Sequence, residues 1–346
     1  MSGTKILITG ATGYIGGSVL STLLRSSSPH IQGSKFSALV RKQEQADILK
    51  QHGVEGIVFS GLDDTEFVRK VASDHDVVIH TASSQHTAAA EAIILGLADR
   101  QKQTGKETDL IHTSGTSSIG DHPISKTYLE SRILSDKDDI YEYQRQRESM
   151  QTYVQRTTDL AVFEKGEAAG VKTYILMSPT IYGLGSGLFN RTSIQIDAII
   201  RAARRDGFSS VAGTGSGEWD HVHIEDLVEL YDLVLSRLLA GDKLPANKQG
   251  IYFNETGNQS WREVSERVAK EGKKLGYLST DEVREVSLDE AAKTFGSPRS
   301  AVEPGFASRA RSSADRSREI GWKPKKTRKD FEESFAEEWK ILAKEW

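Results

Sequence analysis

The chain has no cysteine among its 346 residues. That excludes disulfides, thiolate nucleophiles and cysteine-ligated metals. It also lacks any apolar run approaching the roughly 20 residues needed to cross a bilayer as a helix. No strong charge imbalance is present either: the formal charge is −4. Such a balance gives no drive toward nucleic acid or a membrane surface. The first apolar strand begins almost at the N-terminus, which leaves no room for a cleaved signal. A cytoplasmic location is the resulting expectation.

What is present is a long chain with 37% hydrophobic and 27% charged residues, enough to bury a substantial core. Apolar strand-like runs at Lys5–Thr9, Phe36–Val40, Gly56–Phe59, Val77–Thr81, Leu110–Thr113 and Thr173–Met177 alternate with helical patterns. The helical slots are Glu44–Gln51, Asp64–Ala72, Ala88–Thr104 and Asp159–Ala169. Alternation of this kind predicts an α/β fold, a doubly wound parallel sheet with crossover helices. The polar stretch Asp121–Gln151 reads as a loop plus the start of a long helix. Beyond Pro179 come two glycine-rich loops, an amphipathic segment Ile194–Arg204, a helix over Val222–Leu239 and a strand over Gly250–Asn254. From Trp261 onward the pattern is mostly helical.

The chemistry starts at Lys5-Ile6-Leu7-Ile8-Thr9, which runs into Gly10-Ala11-Thr12-Gly13-Tyr14-Ile15-Gly16. A strand feeding a glycine turn and then a helix is the arrangement that lets a backbone approach a pyrophosphate at a helix N-terminus. The strand-to-helix context raises this above a lone glycine pattern. The second strand ends in Val40 and continues Arg41-Lys42, where an acidic ribose ligand would otherwise stand. Cations there suit a 2′-phosphate, so NADP(H) is expected over NAD(H).

The segment TGATGYIG resembles the fingerprint of the extended short-chain dehydrogenase/reductase family, which includes sugar-nucleotide epimerases, dehydratases and dihydroflavonol-type reductases. The resemblance continues through Met177-Ser178-Pro179-Thr180-Ile181-Tyr182-Gly183, Trp219–Leu227 and Gly321-Trp322-Lys323-Pro324. It implies that Gly10, Thr12, Gly13, Tyr14, Ile15 and Gly16 hold the pyrophosphate, and that Leu62 and Asp63 flank the adenine. It further implies that Thr81, Ala82, Ser83 and Thr113 line the ribose side, and that Pro179 lies beneath the nicotinamide. A nucleotide-binding domain over 1–182 and 220–256 is implied, with a smaller, mostly helical substrate lobe over 183–219 and 257–346.

The catalytic pattern departs from the family. The family's hydroxyl position falls on Gly115, with Ser114 and Thr116 as neighbours able to substitute. No tyrosine has lysine four residues later. Tyr153 is the best-placed candidate acid–base, although its fourth neighbour is Thr157. Tyr141 and Tyr143 have Arg145 and Arg147 at that offset but lie early in the alignment. Arg156 is expected on another part of the helix surface.

Two further groups are read as structural. His221 and His223 share a strand face, but no third metal ligand is apparent, and Asp226 is expected to cap the next helix. The late cluster Arg309, Arg311, Arg316 and Arg318 is read as surface or internally paired, with a phosphorylated substrate as the alternative. The whole reading is an NADP(H)-dependent oxidoreductase acting on the carbonyl of a small organic molecule. An epimerase or isomerase using bound nicotinamide transiently, or a non-catalytic NADP-binding sensor or scaffold, is the alternative. A homodimer is left open.

Overall fold

The computed structural model describes residues 3–346. Its first half alternates as the sequence pattern expects. In order come β1 (Lys5–Thr9), α1 (Tyr14–Leu23), β2 (Lys35–Val40), α2 (Gln43–Gln51), β3 (Glu55–Val58), α3 (Thr65–Ala72), β4 (Val77–His80) and α4 (Thr87–Thr104). Then follow β5 (Asp109–Gly115), β6 (Leu134–Ser135), α5 (Ile140–Met150), α6 (Val154–Ala169), β7 (Lys172–Ser178), β8 (Thr180–Tyr182), α7 (Gln195–Asp206) and β9 (Ser209–Ala212). The chain continues through β10 (Glu218–His223), α8 (Ile224–Leu239), β11 (Ile251–Phe253), β12 (Gly257–Ser260), α9 (Trp261–Lys274) and β13 (Val283–Val286). It ends with α10 (Leu288–Phe295), α11 (Arg299–Phe306), β14 (Ser312–Ser313), α12 (Asp315–Glu319) and α13 (Arg328–Leu342).

Seven parallel strands form the central sheet in the order β11-β7-β5-β4-β1-β2-β3. Ile6, Leu7 and Ile8 of β1 and Val78 and Ile79 of β4 are wholly buried. That near-continuous apolar run is what a strand covered by helices on both faces requires. The order reverses on either side of β1, so a crevice opens there at the strands' carboxyl ends, where ligands bind in folds of this type.

Three differences from the sequence expectations have physical causes. The long helix expected to start within Asp121–Gln151, after a loop, is two helices, α5 and α6, because Gln151 and Tyr153 are extended and break the hydrogen-bond ladder. Helix α8 starts at Ile224, not Val222; Val222 pairs with Ile181 in a strand. The short strand β12 falls between the expected strand Gly250–Asn254 and the stretch from Trp261 read as mostly helical, and β13 lies within that stretch. The polar Gly-Asn-Gln-Ser of β12 gains strand geometry by pairing with β10, and β13 by pairing with β9. Such register is a tertiary matter that local propensity does not carry.

A large core surrounds the central sheet, and a second gathers Tyr182, Trp219, Trp261, Phe331, Phe335 and Trp339 around α7, α9 and α13. The late residues Ala314, Ile320 and Trp322 pack into the first core, not the second.

Candidate functional site

The glycine turn connects β1 to α1. Gly10 takes φ +77°, and a Cβ there would sit 2.7 Å from the Ala82 amide nitrogen. A Cβ at Gly16 would lie 2.2 Å from Thr81 Oγ1. These two glycines are therefore needed for close packing of α1 against the end of β4. Gly13 differs. Its φ is an ordinary −88°, and its Cβ would meet only Gly10 O, at 3.2 Å. Apart from that one tight contact nothing crowds Gly13, which leaves its backbone free to be approached by a ligand. No side chain caps α1, so its first amides face that space with the positive end of the helix. The cradle fits a dinucleotide pyrophosphate. Thr12 contributes its carbonyl, which accepts from Asn190 N at 3.3 Å and so ties the loop after β8 over the turn. Tyr14 OH donates to Gly183 O at 2.6 Å in that loop.

A cleft of about 420 Å³ runs from this turn along the strand ends. Tyr14 and Ile15 line it at one end, then Thr81, Ala82 and Ser83, then Thr113–Ser117 after β5. Tyr153, Gln155, Ser178 and Pro179 complete the floor. Its far wall comes from the second core's elements, through Ile194, Trp219, Ala301 and Phe306. A second groove, of about 560 Å³, lies between the other end of α1 and α8, away from the strand ends.

The structure thus brings Ser114, Thr116 and Tyr153 into one cleft with Tyr14, Ile15, Thr81, Ala82, Ser83, Thr113 and Pro179. Gly10, Thr12, Gly13 and Gly16 form the turn at its end without lining it, and Arg41, Lys42, Leu62 and Asp63 lie away from it. Arg41 and Lys42 are exposed just past β2, and among the described residues neither is in an ion pair. Their backbone amides donate to Gln45 Oε1, each at 3.2 Å. Leu62 is half-buried beyond β3, and Asp63 projects into solvent with His86 Nε2 3.0 Å away.

An oriented hydrogen-bond chain stands behind the cleft. Tyr153 OH donates to Ser117 Oγ at 3.2 Å. Ser117 Oγ donates to Gln155 Oε1 at 3.1 Å. Gln155 Nε2 donates to Ser114 Oγ at 3.1 Å and to Gly115 O at 3.0 Å. Ser114 Oγ then donates to Asp159 Oδ2 at 2.9 Å. Gly115 has a structural reason here: a Cβ on it would lie 2.9 Å from Gln155 Nε2. The carboxamide uses the room that a side chain at 115 would fill. Thr116 is fully buried and accepts from Trp219 Nε1.

Asp159 is the terminus of this chain. Its Oδ2 also accepts from Ser118 Oγ at 2.9 Å and Gln144 Nε2 at 3.0 Å, while Oδ1 has no partner. Burial pushes its carboxyl up to about 7, against the pull of those hydrogen bonds. Burial also raises the Tyr153 phenol, only partly offset by Ser117 and by the charge of Arg156. Arg156 corrects the sequence expectation. Tyr153 is the extended residue before α6, so helical spacing does not separate the two, and the guanidinium lies 5.8 Å from the tyrosine ring. Arg156 Nε donates to Ser118 O at 3.0 Å and Nη1 to Gln151 O at 2.9 Å. The position four after Tyr153 is tied off elsewhere, since Thr157 Oγ1 donates to Glu148 Oε1 at 2.5 Å.

Ser117, Gln155 and Asp159 were missed by sequence reasoning. Ser117 stood in a visible hydroxyl run; Gln155 and Asp159 are polar residues buried on a helix, which no periodicity rule marks. Tyr141 and Tyr143 do not line the cleft. Tyr143 OH donates to Ile119 O at 3.2 Å and accepts from Arg147 Nη1. The two histidines of β10 are engaged as well. His221 faces Gln259 Oε1 and stacks on Phe331, and His223 Nδ1 accepts from Glu225 N at 3.1 Å, capping α8. Asp226 does not cap that helix as expected; it accepts from Lys325 N and Lys326 N, because the preceding histidine already fills the cap.

A doubly wound sheet whose first glycine turn opens into a cleft holding hydroxyls and a tyrosine is that of a dinucleotide-dependent enzyme class. A family model described as NAD dependent epimerase/dehydratase family matches residues 6–246, and the chain belongs to that family. It is 28% identical to the oxidase ucsJ of an Acremonium species over 302 residues, covering 83% of this chain and 84% of that one. Among solved structures it is similar to DesIV, a dTDP-glucose 4,6-dehydratase of Streptomyces venezuelae with NAD bound, at TM-score 0.68, 15% identity and 99% coverage of both chains. It is similar too to a UDP-glucuronic acid 4-epimerase of Bacillus cereus in complex with UDP-glucuronic acid and NAD, at TM-score 0.63, 16% identity, covering 98% of this chain and all of that one.

Proposed function

We propose that the protein is an NADP(H)-dependent oxidoreductase that reduces the carbonyl of a small organic molecule. The observation that carries this reading is the single cleft joining the glycine turn to Tyr153 and the hydroxyl loop Thr113–Ser117. Gly10, Thr12, Gly13, Tyr14, Ile15 and Gly16 would hold the pyrophosphate, and Arg41 and Lys42 the 2′-phosphate. Leu62 and Asp63 would flank the adenine, and Thr81, Ala82, Ser83, Thr113 and Pro179 would line the ribose and nicotinamide. The bound nicotinamide would supply or accept a hydride.

This chain's own residues set the direction. A buried phenol with no ammonium beside it stays protonated at neutral pH, so Tyr153 is a proton donor and a poor base. Its hydroxyl proton points at Ser117, and a substrate oxygen would draw it into the cleft. Ser114 and Thr116 offer hydroxyls beside that oxygen, with Ser114 held by Gln155 and Asp159. Reduction of a carbonyl needs this donated proton, whereas oxidation of an alcohol needs a base in contact with it, and the Asp159 carboxylate stands behind Ser114 and does not line the cleft.

The test is turnover of NADPH with a panel of ketones and aldehydes, in wild type and Tyr153→Phe. The variant should lose most of its turnover while NADPH affinity stays nearly constant. Full activity in the variant would remove Tyr153 from the mechanism. Tight NADP binding with no consumption on any substrate would favour a sensor or scaffold.

A further inference from the structure

The cleft carries a second message in what its walls are made of. Of the 24 residues lining it, none is Asp, Glu, His, Lys or Arg. The substrate end is bounded by Ile181, Ile194, Trp219, Ala301 and Phe306. Ala301 and Gly305 are four apart on α11 and so share a face of that helix, and with Ser297, just before it, they give the cleft small, neutral residues on this side.

The cations that could have served an anionic substrate are spent elsewhere. Arg311 is paired with Asp220 at 2.7 Å and with Glu218 at 3.3 Å. Arg318 pairs with Glu255 at 2.7 Å. Arg309 Nη1 donates to the Glu130 and Arg132 carbonyls, and Arg316 to the Asp136 carbonyl. Arg299, on α11 itself, turns to Asp289 at 2.7 Å. Arg191, on the loop after β8, donates to Gly185 O at 2.6 Å.

A diphosphate or carboxylate entering this space would lose water without gaining a charge partner, which is strongly unfavourable. Sites that hold such groups use guanidinium or ammonium donors. An apolar ring loses nothing of the kind, and Trp219 and Phe306 offer it aromatic surface.

Resting on the oxidoreductase reading above, we propose that the substrate is an uncharged, ring-bearing organic carbonyl compound and not a sugar nucleotide. The fold is shared with sugar-nucleotide enzymes, but the walls of this chain's cleft are built for a neutral guest.

The test measures binding, so it stands apart from turnover. Calorimetric titrations into NADP+-saturated protein would use para-methylacetophenone, its anionic counterpart para-acetylbenzoate, and UDP-glucose. The neutral ketone should bind about tenfold or more tightly than either anion. A companion variant, Ile194→Arg, places a cation on the wall at a residue 75% exposed, where folding tolerates it. It should tighten para-acetylbenzoate by about tenfold and leave NADP+ affinity unchanged. Equal or tighter binding of either anion to wild type would overturn the proposal, as would failure of all three probes to bind the loaded protein or an unaltered preference in Ile194→Arg. Failure of NADP+ itself to bind would instead strike the cofactor assignment.

Discussion

Replacing Asp159 by Asn tests the buried acid that anchors the site. In the folded protein its carboxyl titrates at about 7, against about 3.9 for an unperturbed aspartate. A folded value raised above the unfolded one means that folding favours the protonated form. The aspartate therefore costs nothing below the unfolded value, and it destabilises progressively as pH rises from about 4 to 7. Above that window the full shift of about 3 units amounts to roughly 4 kcal/mol. At pH 5 only the first part is felt, about 1.5 kcal/mol, so roughly 2.5 kcal/mol separates pH 5 from pH 8. Asparagine is nearly isosteric, and its carbonyl can accept from Ser114 and Ser118. Its amide would take the place of Oδ1, which has no partner, a loss of about 1–3 kcal/mol that does not depend on pH. Other buried acids also titrate in this range, among them Asp136 and Asp220, each raised by burial to about 6. The informative quantity is thus the double difference between wild type and Asp159→Asn at the two pH values, from urea unfolding followed by circular dichroism. The variant should gain about 2.5 kcal/mol relative to wild type on going from pH 5 to pH 8. A double difference near zero would refute the assignment of a raised carboxyl to Asp159.

Other expectations follow from the same geometry. Gly13→Val should fold with only a small shift of Gly10 O, the one atom its Cβ would crowd, yet weaken NADP(H) binding by about tenfold or more in a calorimetric titration; unchanged affinity in the folded variant would remove the turn from the cofactor site. Gly16→Val should instead be poorly folded by thermal melting, because its side chain meets Thr81 and the Gly10 backbone. Arg41→Ala should weaken NADPH by about 1.5–3 kcal/mol and NADH hardly at all, if the guanidinium holds the 2′-phosphate; equal loss of both would defeat that reading. Thr157→Lys should not restore alcohol oxidation, because Glu148 stands 2.5 Å from the Thr157 hydroxyl and would take the ammonium; a tenfold gain in oxidation rate would show that the lysine can turn to the cofactor.

The sequence alone determined the alternating architecture and the glycine turn. Apolar runs in β1, β4, β5 and β7 are strand-length and nearly unbroken, and glycine is demanded wherever α1 and β4 touch, as at Gly10 and Gly16. Such local signals survive without any knowledge of neighbours. Tertiary structure alone decided the rest of the site. Gln155, Arg156 and Asp159 are polar yet buried on α6, against the pattern that places polar residues outside. Only the approach of β5 to α6 turns Gly115 from a gap in a motif into the space occupied by Gln155. The neutrality of the cleft is likewise invisible in a chain with 27% charged residues. Whether an arginine meets a substrate or a buried aspartate depends on which elements pack together. In this fold Arg311 met Asp220, leaving the cleft walls uncharged.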